Sequence, residues 1–175
     1  PGPVGAMKII WAPWRMPYLR GACGEVKGCV FCHKIRASDI DEHVLYRGEY
    51  SFVTLNRYPY SNGHMMIVPY QHVNSLVCLD DAVLLEMMQL VRVCERILRD
   101  AQNPQGFNVG VNEGAAAGAG IEEHVHMHIV PRWAGDANYM TVVGETRVLP
   151  EMLEDTYLLL RPYFDEISKD KIASL

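Results

Sequence analysis

The stretch "IEEHVHMHIVPRW", residues 121–133, carries three histidines at alternate positions, His124, His126 and His128. Successive side chains of a β-strand point to opposite faces, so a strand here places the three imidazoles on one face and apolar residues on the other. A neutral imidazole is both a metal ligand and a nucleophile near pH 7. We therefore expect a functional site on the histidine face, either a metal centre or a site of covalent catalysis.

A loop rich in glycine and alanine, "EGAAAGAG" at residues 113–120, precedes the histidines. Its small side chains allow backbone N–H groups to approach an anionic group closely. Such loops are often only flexible connections, but the position of this loop beside the histidines strengthens the case for a role in anion binding. It favours a site in which one histidine attacks a phosphate and another contacts that phosphate, over a site in which the histidines bind a catalytic metal.

Composition and charge limit the classes of function. With 175 residues, of which 49% are hydrophobic and 21% charged, the chain is typical of a globular protein with one substantial core. The net charge of −5 argues against binding to a nucleic-acid backbone. No apolar run is long enough to span a bilayer, and the opening "PGPVGAMKII" lacks the pattern of a signal peptide. We expect a cytoplasmic protein with no nucleic-acid or membrane partner.

The periodicity of apolar residues predicts an α+β fold. Residues 49–56 and 64–69 are strand-like and flank a turn, "YPYSNGH", which indicates an antiparallel hairpin. Residues 80–101 repeat apolar positions at spacings of three and four and predict one long helix. Residues 107–112, the histidine stretch closed by its proline, and "YMTVV" predict three more strands, which makes a mainly antiparallel five-stranded sheet. Residues 150–164 predict a C-terminal helix.

Two of the five cysteines, Cys29 and Cys32, form a C-x-x-C pair. An odd number of cysteines without a secretory signal argues against a disulfide framework. From the residues alone, the pair is a redox motif, half of a zinc site or two structural thiols, although the strand–helix context of a thioredoxin-like motif is missing. Two thiolates need two further ligands to complete a tetrahedral zinc site.

Several stretches together resemble the histidine triad (HIT) superfamily. "HVHMHIV" matches its alternating motif, "LNRYPYSNGHMMIVPYQH" resembles its substrate hairpin, and "GFNVGVNEG" resembles the strand that follows. "WAPWRM" and "PRWAGDAN" are similar to the branch of bacterial diadenosine tetraphosphate phosphorylases and fragile-histidine-triad-like hydrolases. The resemblance implies a HIT-like fold in a single domain over residues 7–165. Met7 is the expected natural start, with residues 1–6 left from cloning, and residues 166–175 are expected to form a C-terminal tail.

The resemblance also implies a mechanism through a nucleotidyl-histidine intermediate. His126, the middle histidine, would attack an α-phosphorus, and His128 would hydrogen-bond the phosphate oxygens. Asn112 falls where the family places a polar amide near the bridging or α-phosphate oxygens. These three residues are the expected catalytic residues.

The nucleotide-binding residues follow from the same comparison of motifs. Asn56, in "LNR", matches a position that contacts ribose. Gly118, Ala119 and Gly120 would lie in the phosphate loop, together with the phosphate contact of His128. Some relatives carry a serine or glutamine in this loop, and this chain has neither between residues 114 and 120.

Zinc-containing histidine triad proteins use a ligand set that matches Cys29, Cys32, His72 and His124. The resemblance therefore implies a structural zinc ion held by these four residues, with His33 as an alternative ligand. A closed zinc site of this kind would anchor the N-terminal segment to the sheet and would leave the other two histidines for chemistry.

The resemblance favours a diadenosine tetraphosphate phosphorylase that binds an adenine nucleotide or dinucleoside polyphosphate and inorganic phosphate, and that forms a homodimer. The alternatives are a dinucleoside polyphosphate or nucleoside phosphoramidate hydrolase that uses water, a nucleotide-binding regulatory protein, and a hydrolase with zinc at the triad itself. The sequence leaves open the choice between phosphorylase and hydrolase, and the polyphosphate length and base preference. It assigns no role to Asp136 or Asn138.

Overall fold

The computed structural model describes residues 28–136 and 151–167, which belong to one compact unit comprising residues 26–136 and 149–175. In these residues, five strands form an antiparallel sheet with the order β1-β2-β3-β5-β4. The strands are Val44–Arg47 (β1), Ser51–Leu55 (β2), Met65–Pro69 (β3), Gly106–Val111 (β4) and Met127–Arg132 (β5), and the helices are Val30–Arg36 (α1), Asp81–Gln102 (α2) and Leu153–Asp165 (α3). The predicted α+β class, with a five-stranded antiparallel sheet, one long helix and a C-terminal helix, is confirmed.

The predicted hairpin is formed by β2 and β3, which pair from Ser51 opposite Pro69 to Leu55 opposite Met65. Its turn requires a glycine at position 63. Gly63 has a φ of 75°, and a Cβ atom there would lie 2.8 Å from the side chain of Leu98. The turn therefore packs directly against α2, and this contact fixes where β3 begins.

Helices α2 and α3 cover one face of the sheet. The stripe of apolar residues predicted along α2 is buried almost throughout, and it packs on the sheet residues Val53, Ile67 and Ile129. Leu160 and Phe164 of α3 complete this core. Helix α2 ends at Gln102, one residue beyond the predicted end, because Asn103 adopts a left-handed conformation with φ 48°.

Helix α1 packs on the other face of the sheet, where a smaller cluster is centred on Phe31, Phe52 and Met66. Beyond α1, the same face carries polar side chains of β4 and β5, among them Asn108 and His128. Polar groups beside apolar surface are typical of a binding site.

The structure corrects some of the predicted elements. Strand β5 begins only at Met127, so His124 and His126 precede the assigned strand, and Pro131 lies within the strand, paired with Phe107, instead of closing it. The fifth strand is β1, which the periodicity did not predict. Helix α1 was not predicted either, and the "YMTVV" stretch lies outside the described residues. In residues 28–136 and 151–167, no helix is both long and apolar enough to cross a membrane.

Candidate active site and metal cluster

The pairing of β3, β5 and β4 determines which side chains share the open face. His128 pairs with Met66 on one side and with Gly110 on the other. Since paired residues of an antiparallel sheet project to the same face, His128 stands between the α1-covered half of the sheet and the edge strand β4. One row along β5, Asn108 pairs with Val130 on the same face.

His126 is held as a neutral ring with a defined tautomer. Its Nδ1 lies 2.9 Å from the backbone oxygen of His124, which can only accept a hydrogen bond. Nδ1 therefore carries the proton, and Nε2 keeps its lone pair. The side chain is 4% exposed, and this burial lowers the pKa of His126 below the usual value, against the opposing effect of the hydrogen bond to His124. Such a ring can act as a nucleophile at Nε2.

Phe31 fixes the other side of this ring. Its centroid lies 4.8 Å from the centroid of His126 and 5.4 Å from that of His124. Phe31 is fully buried and lies between the two cysteines on α1. The helix therefore contributes a wall of the histidine site as well as two thiols.

A relay of hydrogen bonds sets the tautomer of His128. The backbone N–H of Tyr60 donates to Nδ1 of His64 at 3.0 Å, so Nδ1 of His64 is an acceptor and its proton is on Nε2. Nε2 of His64 lies 3.0 Å from Nδ1 of His128 and donates to it. Neutral His128 then carries its proton on Nε2 and can donate from that atom to an anionic oxygen.

His64 and Phe31 contact the triad histidines, and the sequence analysis did not single them out. His64 is buried, with 1% exposure, and its ring centroid lies 5.1 Å from that of His128. The available signal was a histidine directly after the Asn-Gly turn of the hairpin. A prediction that β3 pairs with the histidine strand would have placed His64 beside the motif, as the structure does.

Asn56 and Asn112, the predicted ribose and phosphate contacts, flank the histidine face. The Asn56 side chain is engaged by its own hairpin, because its Oδ1 accepts from Tyr58 N at 2.9 Å and its Nδ2 lies 3.3 Å from Nδ1 of His64. Asn112 directly follows β4, and the alternation of that strand places it on the same face as Gly110. Their roles in binding stay predictions.

The glycine-rich loop uses part of its backbone internally. Gly118 N donates to Ala115 O at 2.9 Å, and Ala119 N donates to Gly114 O at 3.2 Å. The N–H groups of Gly118 and Ala119 are thus directed into the loop, whereas the N–H of Gly120 has no contact of this kind within the described residues. The predicted phosphate-binding role of these three residues stays a prediction.

The predicted ligands Cys29, Cys32, His72 and His124 are brought together, and one ligand atom from each lies within 4.8 Å of the others. Cys29 Sγ is 3.2 Å from His124 Nδ1, and Cys32 Sγ is 3.2 Å from His72 Nδ1. The two cysteines come from the first turn of α1 and the residue that caps its start, and the two histidines come from the segment after β3 and the segment before β5. His33, the alternative ligand, instead points toward Glu42, with Nε2 at 3.4 Å from the carboxylate.

The donor set of this cluster fits a tetrahedral metal ion. Two thiols and two imidazoles suit Zn²⁺, whose ligand bonds of about 2.0–2.3 Å imply ligand atoms less than about 4 Å apart. The four ligand atoms lie within 4.8 Å of one another, so the widest spacing must shorten slightly when an ion binds. Nε2 of His124 donates to the carbonyl of Pro69 at 2.9 Å, which leaves the lone pair of Nδ1 directed at the cysteines. This is the arrangement by which proteins orient a metal-binding histidine. The cluster could therefore hold a metal ion.

The segment that carries His72 is clamped on both flanks. Val125 N, between two triad histidines, donates to Val73 O at 2.7 Å. The carboxylate of Glu113 accepts from Ser75 Oγ at 2.8 Å and from Leu76 N at 3.0 Å, and these contacts lower the pKa of Glu113. The metal cluster is thus tied to the histidine segment and to the beginning of the glycine-rich loop.

Asp136, which the sequence analysis left without a role, binds Arg132 at the far end of the histidine face. The guanidinium donates from Nε to Asp136 Oδ2 at 2.6 Å and from Nη2 to Oδ1 at 2.9 Å. Its Nη1 donates to Asn108 Oδ1 at 2.6 Å. Arg132 therefore orients the Asn108 amide. Asn138 lies outside the described residues.

Comparison with known proteins supports the resemblance. A family model described as the HIT domain matches residues 37–135, which lie inside the predicted domain of residues 7–165. The chain is 39% identical over 161 residues to AP-4-A phosphorylase of Mycobacterium tuberculosis, an alignment that covers 88% of this chain and 83% of that protein.

Solved structures with a similar fold include a zinc-bound histidine triad family protein from Mycobacterium smegmatis, with a TM-score of 0.63 and 25% identity over 79% of this chain and 94% of that one. A hypothetical histidine triad nucleotide-binding protein from Sulfolobus tokodaii has a TM-score of 0.61 and 26% identity, and covers 84% of this chain and 93% of its own.

Proposed function

Because the chain belongs to the histidine triad (HIT) family, we propose that it is an enzyme that cleaves dinucleoside polyphosphates through a nucleotidyl-histidine intermediate. The observation that carries this proposal is the buried His126, whose Nδ1 donates to the His124 carbonyl and whose Nε2 keeps its lone pair. The similarity to AP-4-A phosphorylase supports a diadenosine polyphosphate as the substrate and inorganic phosphate as the acceptor.

The reaction takes two displacements at one phosphorus atom. In the first, Nε2 of His126 forms a bond to the α-phosphorus, and the bond to the bridging oxygen breaks, with its electron pair leaving on the polyphosphate product. In the second, an oxygen of inorganic phosphate attacks the same phosphorus, and the P–N bond breaks, returning the lone pair to His126. The Nε2–H of His128 donates to the phosphoryl oxygens, where charge accumulates in both transition states.

Product analysis tests the reaction type. The protein is incubated with diadenosine tetraphosphate and, separately, with the triphosphate, with and without inorganic phosphate. ADP formed only in the presence of phosphate supports a phosphorylase, whereas AMP formed at equal rates in both conditions identifies a hydrolase that uses water. Rapid turnover of a nucleoside phosphoramidate alone, without cleavage of the dinucleotides, would favour the phosphoramidate hydrolase.

A His126→Ala variant tests the intermediate. It is expected to lose turnover and the acid-labile nucleotidyl adduct, while nucleotide binding stays within about threefold of the unchanged protein. Adduct formation is followed by mass spectrometry under neutral conditions. Undiminished turnover in His126→Ala would reject the mechanism, and absence of any turnover in the unchanged protein would favour a nucleotide-binding regulatory protein.

We also propose that Cys29, Cys32, His72 and His124 hold a structural zinc ion. When bound, the ion supplies four fixed ligand bonds that join three chain segments, and no step of the reaction passes through it. Cys29→Ser is expected to lower the zinc content and to lower the melting temperature by roughly 5–10 °C, since a protein of this size loses about 2–4 °C per kcal/mol.

Cys94→Ala removes a buried thiol that lies outside the cluster, and it is the control for the loss of a thiol as such. It is expected to keep full zinc content by metal analysis. Zinc retained at full occupancy in a Cys29→Ser/Cys32→Ser variant contradicts the site. Rapid loss of the chemical step on chelation, with the melting temperature unchanged, would instead point to a metal in catalysis.

A further inference from the structure

Strand β4 lines one side of the histidine face with a glycine between two asparagines. Asn108, Gly110 and Asn112 occupy alternate positions, so they share the face that carries His128. A Cβ atom at Gly110 would meet no heavy atom within 4 Å. The space above Gly110, immediately beside the His128 ring, is therefore open.

The other sides of the two histidines are occupied by aromatic rings. Phe31 lies 4.8 Å from His126 between ring centroids. On the β3 side of His128, the ring of His64 lies 5.1 Å away and the ring of Tyr60 lies 5.9 Å away. Of these sides, the one over Gly110 offers a path on which a second group can reach a phosphorus attached to His126.

The donors beside this path are preoriented. Asn108 Oδ1 accepts from Arg132 Nη1 at 2.6 Å, so the Nδ2 group of Asn108 is its remaining donor. Arg132 is held in turn by the two hydrogen bonds to Asp136. Each of the three guanidinium nitrogens makes one hydrogen bond to Asn108 or Asp136. A guanidinium has about five N–H groups, so two N–H groups of Arg132 make no hydrogen bond with the described residues and are left for a ligand.

Both steps of the proposed reaction require a group above Gly110, first the leaving group and then the acceptor. A displacement at phosphorus proceeds in line, so the group that leaves when His126 attacks stands opposite Nε2. The acceptor that later displaces His126 must attack from that same side. In a phosphorylase both groups are phosphates, whereas a hydrolase needs only a water molecule at the second step.

We propose that Asn108 and Arg132 form a phosphate subsite above Gly110, which binds the phosphate next to the reacting phosphorus. This inference rests on the proposed function and deepens it, because it names the residues that bind the leaving phosphate and the inorganic phosphate acceptor. Amide and guanidinium donors match the oxygens of a phosphate, and Arg132 is well suited to planar recognition of such an anion.

The test compares substrates that differ in the leaving group. Diadenosine tetraphosphate has a phosphate in the leaving position, whereas adenosine 5′-phosphoramidate releases ammonia and has none. Asn108→Ala is expected to slow formation of the His126 adduct from the tetraphosphate about tenfold, with less than about a twofold change for the phosphoramidate, as expected for loss of one charge-assisted hydrogen bond.

A second arm isolates the acceptor. The adduct is formed from the phosphoramidate, and inorganic phosphate is then titrated while ADP and AMP are measured. Asn108→Ala is expected to raise the phosphate concentration for half-maximal ADP formation about tenfold, with the rate of AMP formation unchanged. A selective loss in the first arm assigns the subsite to the leaving phosphate, and a selective loss in the second assigns it to the acceptor.

Gly110→Val is an independent probe of the same space. A Cβ atom at this position meets no heavy atom within 4 Å, and valine favours a strand, so folding is expected to be retained while the side chain enters the proposed subsite. It is expected to cause the same selective losses as Asn108→Ala. Val109→Ile, which enlarges a partly exposed side chain on the opposite face of β4, is the matched control and is expected to act like the unchanged protein in both arms.

Equal rates for Asn108→Ala, Gly110→Val and the unchanged protein in both arms would overturn the subsite, as would a uniform loss with and without a phosphate leaving group. Failure of the proposed function gives a different result. In that case the unchanged protein forms no adduct from either substrate, before any variant is compared.

Discussion

One backbone N–H group sets the proton position on a histidine that contributes to the site. Because Tyr60 N donates to Nδ1 of His64, the proton of His64 is directed at His128, and the proton of His128 is displaced to Nε2. A donor on Nε2 can bind a phosphoryl oxygen without the ring becoming charged. The hairpin turn therefore supports the proposed role of His128 in charge stabilisation, although none of its side chains is the proposed nucleophile.

Two substitutions of His64 distinguish the effect of its hydrogen bond to His128 from the effect of its size. His64→Phe removes the donor to His128, and kcat is expected to fall about 10- to 100-fold, which is the usual contribution of a well-placed proton donor, with a smaller change in KM. His64→Gln keeps an N–H donor and is expected to retain more of the rate. Steady-state kinetics with the dinucleotide substrate measures both, and equal rates for the two variants would show that the ring only fills space.

His43 predicts a dependence of stability on pH. Burial is the main reason that the pKa of His43 is lowered; Lys34 and Arg57 lower it further, and Glu154 and Glu42 oppose this. Since the pKa is lower in the folded state, the unfolded state takes up the proton first as the pH falls. Stability contributed by the neutral ring is complete above the ordinary value of about 6.5 and decreases below it.

The His43→Asn variant tests this dependence. Asparagine tolerates the positive φ of 54° at this position and does not titrate. Urea unfolding at pH 5.5 and pH 7.5 is expected to show a smaller difference in free energy for His43→Asn than for the unchanged protein. An identical difference in the two proteins would contradict the role of His43.

The sequence indicated which histidines form the site, but not which ring nitrogen of each carries the proton. The spacing of His126 and His128 indicated a shared face, and the resemblance supplied four ligands that the structure brings together. It did not identify His64, because its contact with His128 joins residues 64 positions apart in the chain. Tautomers depend on which backbone group lies at hydrogen-bonding distance, and this information exists only in the folded chain.

At the level of elements, Glu86 joins α2 to the turn between β1 and β2. Its carboxylate accepts from Glu49 N at 2.6 Å, from Tyr50 N at 2.9 Å and from Ser51 Oγ at 2.6 Å. Glu86→Ala is expected to lower the free energy of unfolding by about 1.5–3 kcal/mol, because hydrogen bonds to a charged group are lost. The urea midpoint measures the change.

Glu95→Ala is the matched control on the same helix. Its ion pair with Arg99 spans 3.7 Å between two partly exposed side chains, and such pairs contribute at most about 1 kcal/mol. A loss from Glu86→Ala no larger than the loss from Glu95→Ala would contradict the clamping role of Glu86.

Helix α2 was predicted to within one residue at each end and helix α3 to within three, whereas strand β1 and helix α1 were missed. Helix α2 has 22 residues, over which the apolar repeat is unambiguous. Strand β1 has four residues and helix α1 has seven, too few to establish a period. The start of β5 was misplaced because alternation continues through His124 and His126, while pairing with β3 and β4 begins only at Met127.

At the level of the whole molecule, β4 is an edge strand of the sheet that the described residues form, and it contains no charge and no proline. Its sequence is "GFNVGV", and Val109 is 41% exposed. Edge strands are usually protected against pairing by charges, prolines or bulges. This supports the expectation of a homodimer in which two copies pair through β4.

Val109→Lys tests this assembly. A lysine at an exposed position of the edge strand is tolerated in one protomer but opposes the approach of a second. Light scattering coupled to gel filtration is expected to give a dimer mass for the unchanged protein and a monomer mass for Val109→Lys. A monomer mass for the unchanged protein would contradict the expectation.

The overall architecture could be predicted because three features of the sequence, the hairpin, the long helix and the histidine strand, together specify most of the sheet and the helix that covers it. The arrangement of the site could not, since it depends on register. A shift of β4 by one residue would replace Gly110 with a side chain beside His128 and would bring different residues to Arg132. Register is determined by packing across the whole sheet, which no short pattern contains.

The clamp on the segment of His72 has a consequence for how the protein loses structure. This segment is fastened to Val125 and to Glu113 by three hydrogen bonds. Val125 belongs to the core beneath α2, whereas Glu113 is not part of it. Proteins open in cooperative local units well below the temperature of global melting. Amide protons at the Glu113 contact and in the glycine-rich loop should therefore exchange with solvent before those of Val125, α2 and the central strands, which share one core.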